Sequence, residues 1–187
     1  MGFGTILLLI IAVVAVLAVL AYNSLVSLRQ RVKQSFADID VQMKQRHDLI
    51  PNLVETVKGY AAHEKGTLDE VVKARAAAIA APQGSPQQAQ AEQALSGALG
   101  RLIAISEAYP DLKANQNFLE LQQQLADIEG KIAAARRFYN GAVSEYNAGI
   151  QAFPAVLFAR SFGFGPETFF DLGEERTQVA QPPSVKF

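Results

Sequence analysis

The hydrophobic pattern changes character once along the chain. From Phe3 to Tyr22 the sequence reads FGTILLLIIAVVAVLAVLAY, with neither a charge nor a polar stripe. A core helix keeps one wet face, and this segment keeps none. At about 1.5 Å of rise per residue, about 20 apolar residues cross a hydrocarbon core roughly 30 Å thick. The segment is therefore expected to be a transmembrane anchor. The rival is a cleaved secretory signal with a small-residue site at Val19-Leu20-Ala21. No positive charge precedes the run, and the run exceeds a usual signal core, so retention is favoured. Myristoylation at Gly2 is disfavoured because Ile6 stands where that motif wants a hydroxyl.

From Leu25 the pattern becomes amphipathic. Leu25, Leu28, Val32, Phe36, Ile39, Met43, Ile50, Leu53, Val57 and Tyr60 recur at steps of three and four, with one longer gap over Arg46 and His47. That spacing predicts a core-facing helix. No Gly or Pro separates it from the anchor, so nothing obliges a break between the two. Pro51 is expected to kink the helix, because it leaves the carbonyl of His47 without its N–H partner and crowds it. Gly59 and residues 61–66 mark a turn. Thr67, with Glu70 three residues on, reads as a capping box for a second helix that ends before Pro82. After the loop Pro82-Gln83-Gly84-Ser85-Pro86, a third helix is expected from Pro86 to Tyr109, with Ala91, Leu95, Ala98, Leu102, Ile105 and Tyr109 on its apolar face. Tyr109-Pro110 stops it.

The fourth helix is the most regular. Phe118, Leu125, Ile132, Tyr139 and Tyr146 repeat every seven residues, and Leu121, Ile128, Ala135 and Ala142 fill a second seam. Such a heptad implies packing against other helices, within or between chains. Gly130 and Gly141 either weaken this helix or admit a close neighbour. Nothing reads as a strand. The expected fold is all-α, an N-terminal transmembrane helix followed by an elongated antiparallel three- to four-helix bundle. Residues 1–22 are the anchor, 23–152 the bundle and 153–187 an irregular tail.

Within that tail, the segment from Phe153 to Leu172 holds six of the eleven Phe residues, Phe153, Phe158, Phe162, Phe164, Phe169 and Phe170. Gly163, Gly165 and Pro166 break any long helix there. Such apolar density calls for cover, and three are open: the end of the bundle, another subunit, or the membrane surface. The polar residues from Gly173 onward are expected to be mobile.

Charge refines this picture. Nothing basic precedes the anchor, whereas Arg29, Arg31 and Lys33 follow it, which places the N-terminus outside and the bulk of the chain in the cytoplasm, at the cell (inner) membrane. The net charge of −1 offers no field for nucleic acid. The chain has no Cys, which excludes disulfides, zinc–thiolate sites and Cys nucleophiles.

The search for catalytic chemistry finds no candidate. His63-Glu64 opens like a zinc-protease motif, but Thr67 stands where the second His belongs. No Glu precedes a His at di-iron spacing, no phosphate-cradling loop is present, and no Ser has a nearby His base. No catalytic, metal or cofactor residue is assigned. The dense polar cluster Arg46-His47-Asp48, just before Pro51-Asn52, reads either as a site built at the kink or as a structural group in which Asp48 pairs with Arg46 or a neighbouring helix.

The runs Tyr22-Asn23-Ser24-Leu25-Val26, IDVQMKQRHDLIPNLVETVKGYAAHEKGTL from Ile39 to Leu68, Ala74-Arg75 in the second helix, YPDLKANQNFLELQQQLADIEGKIAAARRFYN from Tyr109 to Asn140, and FPAVLFARSFGF from Phe153 into Phe169-Phe170 closely resemble the LemA family. The resemblance covers nearly the whole chain. It implies a single-pass membrane protein with a cytoplasmic helical bundle and no established enzymatic activity, some relatives taking part in membrane organisation, and it carries no catalytic residues to transfer. The expected function is a non-enzymatic membrane scaffold, with the lipid bilayer and further copies of itself, through helix faces and the Phe-rich tail, as partners. The alternatives are an accessory subunit holding another membrane protein or enzyme and, less favoured, a metal-dependent enzyme using His47 and His63.

Overall fold

A computed structural model describes residues 2–170. Among them every regular element is helical: α1 (Phe3–Tyr60), α2 (Lys65–Ala80), α3 (Pro86–Ile105), α4 (Pro110–Lys113) and α5 (Gln116–Gln151), with 3₁₀ turns at Ser106–Ala108 and Ala155–Leu157. The expectation of mobility from Gly173 lies outside the described residues.

The apolar run and the first amphipathic helix are one element, α1, of 58 residues. Pro51 lies inside it without interrupting it. The carbonyl of His47, which Pro51 cannot serve, accepts a hydrogen bond of 2.7 Å from Arg75 Nε on α2. A side chain thus takes the place of the missing backbone donor.

Two compact units share α1 and α5. In the unit built on Val41–Ile132, the end of α1, α2, α3 and the first half of α5 form a helical bundle. Short connections alternate the helix directions. Arg46 meets Glu129 and Tyr60 meets Asn115, so α1 and α5 run antiparallel there. Ile50, Leu53, Val57, Leu95, Leu102, Leu112, Phe118 and Leu125 supply its core, each side chain contributing about 1.5–3 kcal/mol through burial.

Three local readings change in this unit. α2 begins at Lys65, so Thr67 lies within the helix and caps nothing; Glu64 precedes it with no side-chain cap bond. Glu70 is drawn instead to Arg101 of α3, a charge-assisted partner that outcompetes a backbone N–H. Ser85, read from the sequence only as a loop residue, caps α3 by accepting from Gln88 N at 3.1 Å, with Pro86 in the first turn. Tyr60 does not join the core. It is 44% exposed, and its hydroxyl accepts from Asn115 Nδ2 at 2.9 Å.

The other unit comprises residues 2–40 and 133–169. Leu25, Val32 and Ile39 of α1 are buried, as are Tyr139, Ala142, Val143 and Tyr146 of α5. Arg31 faces Glu145 and Phe36 faces Tyr139, which again fixes an antiparallel pair. The close approach falls at Gly149, where an added Cβ would lie 2.8 Å from Leu28 Cδ1, and not at Gly130 or Gly141, which face open space. The tail then lies on this helix pair. Tyr139 donates its hydroxyl to the Thr168 carbonyl at 3.0 Å, and the Asn147 amide bonds both the N–H and the carbonyl of Glu167 at 2.9 Å.

Candidate functional site

The gap in the apolar seam of α1 is filled by charge. Arg46 is 1% exposed, and its guanidinium binds Glu92 of α3, Glu129 of α5 and Ser96 Oγ, the last at 2.8 Å. His47 Nε2 lies 3.0 Å from the second oxygen of Glu92. Glu92 is 0% exposed. Burial pushes its carboxyl up, but the facing His47 imidazole and the Arg46 guanidinium outweigh burial and hold it below the usual Glu range. Glu129 keeps 44% of its side chain in water, so its pairing is the weaker one.

The geometry decides what this cluster can do. Neither the guanidinium of Arg46 nor the carboxylate of Glu92 presents a surface to solvent, so no dissolved substrate reaches them. A slip of α1 against α3 would strand the Glu92 carboxylate without its cation, which low-dielectric surroundings make costly.

The other residues singled out at Pro51 do not join it. Asp48 is exposed and pairs with Lys44 at 2.5 Å, not with Arg46. The hydrogen bond from Lys44 lowers its carboxyl below the ordinary Asp value. Pro51 and Asn52 are exposed. His63 is exposed in the turn after α1, whereas His47 is buried against Glu92. Among the described residues no group of three potential ligands gathers for a metal.

Glu92 and Glu129 were not singled out as site residues from the sequence. Glu92 had a signal: it continues the α3 seam of Leu95, Leu99 and Leu102 one turn toward the N-terminus, an acid on an apolar stripe. The interrupted α1 seam was its counterpart.

In the unit that carries the apolar run, residues of the expected flank and tail meet. None of the most apolar 18-residue window of α1 is buried. Tyr22, at its end, stacks edge-on with Phe162 and Phe164 at 5.6 and 5.5 Å between centroids. Arg29 lies 6.0 Å over the ring of Phe164. Arg31 pairs with Glu145 at 2.6 Å, both half in water, and Lys33 is exposed. Of the six tail Phe residues, Phe164 and Phe170 are buried and Phe158 is half-buried, but Phe153, Phe162 and Phe169 are exposed.

A model of the LemA family matches residues 35–187, a span that includes the whole Arg46 cluster. The chain belongs to the LemA family. Similar proteins include magnetosome proteins MamQ 1 and MamQ 2 of Paramagnetospirillum magneticum, each 28% identical over 174 residues, covering 80% of this chain. This chain spans 64% of the length of those relatives. Protein LemA of Metamycoplasma hominis is 24% identical over 160 residues, covering 84% of this chain and 72% of that protein. Members of the LemA family are not known enzymes. A chain of this family with an N-terminal helix long and apolar enough to cross a bilayer fits a membrane protein.

Proposed function

We propose that this chain is a non-enzymatic membrane scaffold: the apolar run of α1 lodges in the bilayer, and the bundle meets further copies of the chain through its helix faces. One observation carries the reading. The lipid-length apolar segment and the first bundle helix are a single helix, α1, with no loop between them. The sealed Arg46–Glu92 pair supports it, because a buried ion pair between helices serves a structural bundle and leaves no room for a substrate. Val72 and Ile79, two turns apart on α2, are 51% and 54% exposed and offer an apolar stripe for association. Arg29, Arg31 and Lys33 after the anchor favour a cytoplasmic bundle at the inner membrane. The names of the magnetosome relatives favour a role in membrane organisation.

Mass photometry in native-lipid nanodiscs tests the reading. Oligomers that dissociate on Val72→Glu with Ile79→Glu are expected. Monomers alone, across the range of membrane densities, refute self-association. Crosslinking in native membranes that captures one other protein and no second copy would instead favour an accessory subunit.

A further inference from the structure

We propose that the turn at residues 153–162 is a second membrane contact, a wedge of apolar side chains inserted beside the anchor into the headgroup–acyl boundary. This deepens the scaffold reading and rests on the apolar run of α1 occupying the bilayer.

Placement is the first argument. Gly149 packs on Leu25 and Leu28, so α5 ends at Gln151 beside the point where α1 changes from exposed to buried. The following turn is held there by the stacking of Phe162 and Phe164 on Tyr22, the residue that closes the apolar run. If about 20 residues of that run fill the hydrocarbon, Tyr22 sits at the interface and the turn sits with it.

Orientation is the second. Ala155, Ala159 and Phe164 are buried, fixing the inner side of the turn. On its outer side Phe153 is 79% exposed, Val156 51%, Leu157 73% and Phe162 63%. Bulky apolar groups are thus presented outward by a seated turn, an arrangement that water penalises and an acyl boundary rewards.

Charge selects the occupant. No Asp or Glu occurs between Tyr146 and Pro166, nor between Met1 and Ala37, and Arg160 lies exposed within the turn. An aromatic and aliphatic wedge with a basic rim matches anionic lipid. Two copies meeting through this face would bring like charges together.

The chain lacks Trp, so single substitutions report their own depth. Full-length Leu157→Trp and Phe162→Trp, reconstituted in phosphatidylcholine–phosphatidylglycerol vesicles, are compared with Leu9→Trp in the anchor and Phe138→Trp on α5, using bromine-labelled acyl chains as quenchers. Quenching at 157 and 162 several-fold above that at 138 is expected, with blue-shifted emission. Quenching at 9 but not at 157 and 162 overturns the wedge and leaves the anchor standing. No quenching at 9 overturns the anchor reading. A blue shift at 157 that follows protein density, with no quenching, assigns the face to a second copy and also overturns the proposal.

Discussion

Replacing Arg46 by methionine is expected to destabilise the bundle by about 3–5 kcal/mol at neutral pH, because it leaves a buried carboxylate without its cation. Glu92 is 0% exposed and would keep only His47 beside it. Methionine fills much of the arginine stem's volume, so the cavity contribution is small. Glu129, at 44% exposure, returns to water at a cost under about 1 kcal/mol. Almost the whole effect therefore belongs to Glu92. For a chain of this size it corresponds to a fall in melting temperature of roughly 6–20 °C, read by far-ultraviolet circular dichroism of the full chain in detergent. The companion variant, Arg46→Met with Glu92→Leu, is expected to recover to within about 1–2 kcal/mol of the parent, since an apolar pair replaces the ionic one. In the single variant the lowering by Arg46 is gone, so Glu92 moves up from its parent value and the deficit narrows as acidification protonates it. A single variant within about 0.5 kcal/mol of the parent, or a double variant worse than the single, would refute the claim that a buried charge is being neutralised.

In the parent, Glu92 is held below its ordinary value, so its contribution is present above 4.5 and is lost as pH falls through the lowered value; acid melts of the parent and Glu92→Gln should converge there. Glu129→Gln should cost under about 1 kcal/mol by the same melt, given its partial exposure. Gly141→Ala should stabilise α5 by about 0.5–1 kcal/mol because its Cβ meets open space, whereas Gly149→Ala should gain less or lose, because its Cβ lies 2.8 Å from Leu28 Cδ1. Phe118→Ala should cost about 3–5 kcal/mol in urea unfolding, since the ring is 1% exposed at the foot of α5.

Much of the fold was legible. The step of three and four from Leu25, the proline boundaries at Pro82 and Pro110, and the seven-residue repeat from Phe118 each reflect local backbone chemistry and one-sided burial. Errors came where two partners compete for one group. Thr67 and Glu70 have the form of a capping box, but Glu70 is taken by Arg101, a residue 31 positions away. Asp48 stands beside Arg46 in sequence but points from a different side of the helix and meets Lys44 one turn back. Gly130 and Gly141 could either weaken the helix or admit a neighbour; both face open space, and Gly149, which the spacing did not mark, carries the contact.

The sequence by itself determined the helices and the lipid-length run, because periodicity and unbroken apolarity are properties of neighbouring residues. It also marked Arg46 and His47 as an interruption in an apolar seam. Only the tertiary structure decided what the interruption means. Glu92 and Glu129 reach Arg46 from other helices, 46 and 83 positions along the chain. It likewise decided which tail phenylalanines face inward, since Phe164 is covered by Tyr22 and Phe162 stays exposed beside it. Burial and charge pairing are properties of what packs together in space, and one-dimensional spacing does not carry them.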